Sequence, residues 1–390
     1  MLKTPIYLDH NATTPCDVRV VEAMMPYFTE KPGNAASRDH VYGWQAEESV
    51  NHAREMVAKL INAEPGEIIF TSGATEADNL ALKGVFESYV AKGNHIITCK
   101  VEHKAVLDPC RHLEKMGAEV TYLPVRDNGL IDLNELERAI KPTTILVAIM
   151  YANNETGTIM PMQAIGAIAK KRGVLLFSDA TQAVGKIPVD VNKDGIDLMA
   201  FNAHKMYGPK GVGALYVRRK NPRVKLIAQM DGGGHEKGMR SGTLNVPGIA
   251  GFGKACDICM NELQHDEENM KRLRNKLENA LLNIDGATVN GDRYHRLPHV
   301  TNMSFNIADG ENLVIALNEH IAISTGSACM SASLEPSYVL KALGLNDSEA
   351  RSGLRFSLGR HTTEEEIDYT IEQVIHAVNK LRKISQQVEL

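Results

Sequence analysis

Nowhere does the chain hold an apolar run approaching the roughly 18 residues that a membrane-crossing helix needs. Its opening, MLKTPIYLDHNATT, lacks the basic stretch and apolar stretch of an export signal, and no organellar transit peptide is visible. Neither export nor membrane spanning is expected. There is no basic stripe either: 43 Lys and Arg are interspersed with 48 Asp and Glu for a net charge of −5, so nucleic acid is not an expected partner. The six cysteines lack regular pairing, which argues for reduced thiols and a cytoplasmic location rather than a disulfide framework. Cys256 and Cys259 form a C-x-x-C, but no second such pair and no spaced histidine pair lies nearby. No metal site is expected, and these thiols read as small buried hydrophobes. Internal repeats and low-complexity linkers are absent.

At 390 residues the chain has room for a large α/β unit and a smaller one. Short apolar runs ending in polar loops predict strands at Glu67–Phe70, His95–Thr98 and Thr144–Met150, and buried parallel strands at Gly173–Phe177 and Asp197–Phe201. Helices are expected at Trp44–Ile61 and Ala77–Tyr89, and a long amphipathic one at Asn261–Ile284. The last part reads as a smaller α/β unit: strands Val300–Ile307, Ile321–Ser324 and Leu354–Leu358, a helix near Glu311–Glu319, and a terminal helix from Thr363 towards Leu381 with Glu366 as its capping-box partner.

The chemistry concentrates between Ser178 and Gly213. One strand delivers Asp179 at its carboxyl end, and the next delivers Asn202, His204 and Lys205 into a loop punctuated by Gly208, Pro209, Gly211 and Gly213. Ligands of open α/β sheets lie beyond the carboxyl ends of the strands, and an acid with a loop lysine there suits pyridoxal phosphate. The lysine would form the Schiff base, and the acid would keep the pyridine nitrogen protonated. The Gly-containing turn Thr71–Glu76, opening a helix, suits a phosphate, with Ala74 and Thr75 at its start. It is not a Walker loop, because no GK[ST] follows. Gly208-x-x-Gly211-x-Gly213 leads into the strand-like Ala214–Val217 where a dinucleotide fingerprint requires a helix, so a nicotinamide site is disfavoured. His10 sits in a polar turn cluster and reads as a turn residue without chemistry.

The segments DATQAVGK, AHKMYGPKG, GGGHEKGMRSGTL and STGSACMSASLEPSYVLKALG resemble those of cysteine desulfurases of the housekeeping iron-sulfur-cluster type, members of the class V aminotransferases. The similarity runs from YLDHNATTP at residues 7–15 to RFSLGRHTTEEEID at residues 355–368. It implies the fold-type I architecture: a large domain over residues 15–260 with a mostly parallel seven-stranded sheet, and a small α/β domain from residues 1–14 and 261–390 carrying the cysteine loop. It further implies a homodimer that converts L-cysteine to L-alanine and leaves a persulfide on Cys329 for an iron-sulfur scaffold or another sulfur acceptor. Selenocysteine lyase activity, or a non-catalytic scaffold or sulfur-acceptor role, is the alternative.

The resemblance also distributes roles. Lys205 would carry the cofactor and Asp179 its ring nitrogen; His103 of EHKAV would stack on the ring and handle substrate protons, which a planar imidazole titrating near neutrality suits. Asn154 and Gln182 would meet the ring hydroxyl, with Asn153 serving only turn geometry. Ala74, Thr75, Asn202, His204 and, from the neighbouring subunit, Thr243 would complete the cofactor site. Asn34, Asn154 and Arg355 would hold the substrate, the guanidinium offering bidentate geometry to its carboxylate. Cys329 lies among small residues, Thr325–Ser333, which bury little and suit motion of a nucleophilic thiol. Two departures stand out: Asn202 replaces a serine at the phosphate, and the chain ends at Leu390 without the longer tail that some members use to dock a scaffold protein.

Overall fold

The computed structural model describes residues 2–305, 310–325 and 336–388. In chain order the strands are β1 (Ile6–Tyr7), β2 (Ile68–Thr71), β3 (His95–Cys99), β4 (Glu119–Leu123), β5 (Thr144–Ala148), β6 (Leu175–Asp179), β7 (Leu198–Asn202), β8 (Gly213–Val217), β9 (Thr288–Val289), β10 (Val300–Ser304), β11 (Ile321–Ala322) and β12 (Gly353–Ser357). Seven of them form one sheet in the order β2-β8-β7-β6-β5-β3-β4. Only β8 runs against the others in it. The expected mostly parallel seven-stranded sheet is therefore present.

Alternation along the strands builds two layers. Leu176, Met199, Phe201 and Tyr216 face one side, where they pack with the helix Val41–Leu60 and the start of the helix Val246–Leu281. Leu175, Phe177, Leu198 and Leu215 face the other, against Ala77, Leu80, Ala81 and Val85 of the helix Ala74–Tyr89. Each fully buried side chain of this size contributes roughly 1.5–3 kcal/mol. The crossovers are punctuated as the chain chemistry dictates: the helix Met162–Arg172 ends in Lys170, Lys171 and Arg172, which complement its dipole, and stops at Gly173 in the left-handed region at φ 66°.

A third core gathers Leu273, Leu277, Leu281, Met303, Phe356, Ile367 and Val374 between the antiparallel strands β12-β10-β9, the parallel pair β1-β11 and the terminal helix Glu364–Val388. Thr363 and Glu366 make the expected capping box there, at 2.8 and 3.2 Å. The helix Val246–Leu281 reaches both cores, its first turns burying Ile249, Phe252, Cys256 and Cys259. It begins fifteen residues before the expected Asn261, because the glycines and cysteines of its first half pack on the sheet and carry no amphipathic pattern. The two cysteines of the C-x-x-C are buried core residues.

Candidate active site

The sheet order reverses between β3, whose chain continues outward to β4, and β5, whose chain continues to β6 and β7. Such a switch point leaves a crevice at the carboxyl ends of the strands. A cavity of about 300 Å³ lies there, bordered by Ala74, Thr75, His103, Asn154, Asp179, Gln182, Asn202, His204, Lys205 and Arg355. Ten of the residues expected at the site thus converge, and with them come Asn11, Ala12, Asp78, Met150, Ala152 and Thr181, which sequence reasoning missed.

Lys205 ends the tight turn Ala203–Lys205 directly after β7. Its Nζ donates to the main-chain carbonyl of Ala12 at 2.7 Å and to that of Asn11. Asn11 ties the site together: its carbonyl also accepts from Gln182 Nε2 at 3.0 Å, its Nδ2 donates to the Asn154 carbonyl at 3.0 Å, and its Oδ1 lies 2.7 Å from His299 Nε2. Most of these bonds use backbone groups, which a side-chain reading cannot see. The neighbouring His10 lies in the expected turn but is buried there; its ring stands edge-on to Tyr7 at 4.9 Å, and burial holds it neutral with its pKa lowered to about 3.

Asp179, buried at the end of β6, accepts the Thr181 amide at 2.9 Å. His103 caps the helix Lys104–Lys115, its Nδ1 accepting the Ala105 amide at 3.1 Å, so the neutral ring carries its proton on Nε2. His204 contacts Thr13 Oγ1 at 3.1 Å; burial, with the positive charges of Lys205 and Lys210, pulls its pKa down to about 4. Arg355, only 4% exposed, has less of its fork free than a bidentate clamp requires: Nη2 bonds Asp9 at 2.6 Å and Nη1 the Asn154 carbonyl at 3.0 Å, while Nε is buried without a partner. Asn153 holds the turn, bonding the Val101 carbonyl at 3.0 Å and the Glu155 and Thr156 amides at 2.9 Å.

The helix Ala74–Tyr89 begins three residues earlier than expected, which puts Ala74 and Thr75 in its first turn. Its N-cap, Gly73, supplies no side-chain cap. The first amide donors of a sixteen-residue helix therefore point to the cavity side unclaimed by a capping side chain. Gly213 makes room for this turn, since a Cβ there would stand 2.7 Å from Gly73 Cα. Asn34 and Thr243 do not border the cavity; both are exposed, and Asn34 accepts the Ala36 amide at 2.9 Å. Cys329 lies outside the described residues.

Residues 6–370 match the aminotransferase class-V family. Across its full length the chain is 56% identical to the cysteine desulfurase IscS of Escherichia coli and to that of Shigella boydii, covering 96% of each relative. The chain belongs to the class-V aminotransferases, and within them to the cysteine desulfurases. A solved NifS-like protein superposes with a TM-score of 0.90 at 40% identity, covering 96% of this chain and all of the other. The protein described as SspA in complex with cysteine does so with a TM-score of 0.81 at 35% identity over 92% of this chain and all of that one.

Enzymes of this family work with pyridoxal phosphate, and the residues of this desulfurase fit that group. The uncapped helix start suits a phosphate. Asn154 Oδ1, Asn202 Oδ1 and Thr181 Oγ1 are buried without partners at the cavity wall, polar atoms that a polar ligand satisfies. Asn202 is thus positioned for the site. Among the described residues no helix is long and apolar enough to cross a membrane.

Proposed function

We propose that the chain takes sulfur from L-cysteine, releases L-alanine and receives the sulfur as a persulfide on Cys329. The observation that carries this reading is the convergence of Lys205, Asp179, His103 and the uncapped helix start on one cavity. When bound, pyridoxal phosphate supplies an electron sink for the bond broken at the substrate's α-carbon. Lys205 holds it covalently and, released, offers its amine for moving a proton. Asp179 holds a proton on the pyridine nitrogen. His103, through Nε2, moves a proton to or from the substrate. Arg355 Nε, with Asn154, receives the carboxylate. Sγ of Cys329 attacks the substrate sulfur: the carbon–sulfur bond breaks, a sulfur–sulfur bond forms, and the β-carbon gains a proton to give alanine, with no external oxidant.

We carry further the homodimer, in which Thr243 of each subunit completes the other's phosphate site, the domain division at residues 15–260, a cytoplasmic location, and an iron-sulfur scaffold or other acceptor protein as the destination of the sulfur. Purified protein incubated with L-cysteine, with and without a thiol reductant, tests the reaction. Equal alanine and sulfide in the presence of reductant are expected. A colourless protein that releases neither overturns the reading, and a monomer in sedimentation with full cofactor occupancy overturns the shared site.

A further inference from the structure

Thr14 stands immediately before Pro15, which biases its backbone to the extended region, and it is only 1% exposed. Its hydroxyl reaches both sides of Lys205 at once: Oγ1 donates to the His204 carbonyl at 2.9 Å and accepts the Tyr207 amide at 2.8 Å. The Thr14 amide donates to the same His204 carbonyl at 2.9 Å. Tyr207 has φ 64°, in the left-handed region that costs a non-glycine residue roughly 1–2 kcal/mol. Such strain persists only where the surroundings fix it, and Tyr207 is held at all three of its polar groups. Besides the amide on Thr14, its carbonyl accepts the Asp17 amide at 2.9 Å and its hydroxyl accepts the Arg360 amide at 2.6 Å. Its ring carries the Arg360 guanidinium 4.1 Å and Lys186 Nζ 4.6 Å from its centre. Ala203 closes the turn on itself, its carbonyl accepting the Met206 amide at 3.0 Å and the Gly208 amide at 2.9 Å.

We propose that Thr14 is a positioning residue for the reaction: its hydroxyl holds the backbone on both flanks of Lys205 and so fixes the direction from which the amine enters the cavity. The Lys205 side chain leaves the turn between these two anchors, and its Nζ reaches the carbonyls of Ala12, at 2.7 Å, and Asn11, in the same segment as Thr14. Backbone and amine are thus both referred to residues 11–14. With the backbone held, only side-chain rotation separates the amine that carries the cofactor from the amine that, once released, moves a proton. Without the Thr14 hydroxyl, the Tyr207 amide becomes a buried donor lacking its acceptor, and the left-handed backbone loses a bond that offsets its strain. The turn then relaxes, and a misplacement of about 1 Å at reacting atoms costs on the order of 10²-fold in rate. Thr14→Val removes the hydroxyl at nearly the same size, whereas Thr14→Ser retains it.

The proposal rests on Lys205 carrying the cofactor and moving a proton, so its test has an arm without the cofactor. In apoprotein, hydrogen exchange followed by mass spectrometry should show the Tyr207 amide exchanging about tenfold faster in T14V than in the wild type or T14S, the scale of a buried hydrogen bond lost. In holoprotein, T14V should lower kcat for alanine release about tenfold with KM for L-cysteine nearly unchanged, and T14S should restore kcat. Uptake of added pyridoxal phosphate by T14V apoprotein into its coloured, covalently held form should slow by a similar factor, read from visible absorbance. If T14V does not fold, T14A takes its place, with T14S as the reference. Wild-type exchange at Tyr207 in T14V overturns the clamp, whatever the cofactor does. Faster exchange with wild-type kcat and uptake overturns the positioning role. So does a loss of protection across the large sheet rather than at residues 203–208, which assigns Thr14 to stability alone. A wild type that binds no cofactor overturns the reading of Lys205 instead, while the exchange arm still judges the clamp.

Discussion

At the scale of single residues, the amine of Lys205 rests on main-chain carbonyls 193 and 194 positions earlier in the chain. The lysine and its acid were legible in the sequence because both stand at the ends of apolar runs; Asn11 was not, because its carbonyl does much of its work. Replacing Lys205 with Ala should abolish covalent attachment of the cofactor while the cavity keeps its other contacts. Borohydride reduction and peptide mapping check this, and a label on Lys210 would show the assignment to be wrong. A second lysine behind the site makes a pH prediction. Lys186 is buried with Nζ unpartnered, 4.6 Å over the Tyr207 ring, and burial lowers its pKa from 10.5 to about 7. Between those values the unfolded chain binds a proton that the native state does not, so this group makes stability rise with pH by up to about 1.4 kcal/mol per unit. Below about 7 both states are protonated and its contribution levels off. Lys186→Met, which fills similar space, should flatten that rise; melting temperatures across the window compare the two, and equal slopes would refute it.

At the scale of elements, strand interiors were legible and element ends were not. β6 and β7 are each wholly buried over five residues, and their apolar runs announced them. The start of the helix Ala74–Tyr89 was hidden, because Ala74-Thr75-Glu76 reads as a polar turn until the sheet beneath it supplies the packing. That three-residue shift also concealed Asp78, which a helix beginning at Ala77 leaves in a frayed first turn. The registration of this helix start on the sheet is tested through Gly213. Its added Cβ would meet Gly73 Cα at 2.7 Å and Gly73 C at 2.8 Å, both backbone atoms that cannot swing aside. Gly213→Ala should cost about 1–3 kcal/mol of stability, and the displaced turn should hold the cofactor more weakly. Denaturation of apoprotein measures the first and cofactor release the second. A variant that loses stability but keeps wild-type cofactor retention would mean that the turn does not hold the phosphate.

At the scale of the whole molecule, the site is assembled from distant parts of the chain. Asp9 and Asn11 come from beside β1, Arg355 from β12, and Asp179 and Lys205 from the large sheet; the Arg355–Asp9 ion pair at 2.6 Å joins residues 346 apart. Long-range assembly of this kind is invisible to local pattern, and only resemblance across the chain anticipated Arg355. The same sheet carries no nucleophilic thiol on the cavity wall: Cys99, Cys110, Cys256 and Cys259 are buried, burial raises their pKa values, and none borders the cavity. Cys16 is partly exposed and is likewise shifted upward by burial and by Asp17. Five of the six thiols are therefore poor sulfur acceptors, because a thiolate is the attacking species and each of these resists forming one. That leaves Cys329. Cys329→Ser should keep the cofactor and its absorbance but lose turnover, since a serine oxygen cannot take sulfur as a persulfide. Each of the other five replaced singly should still transfer sulfur. After a brief pulse of L-cysteine, mass spectrometry should find the added sulfur on the peptide containing Cys329; sulfur only on Cys16, Cys256 or Cys259, with the serine variant still active, would refute the assignment.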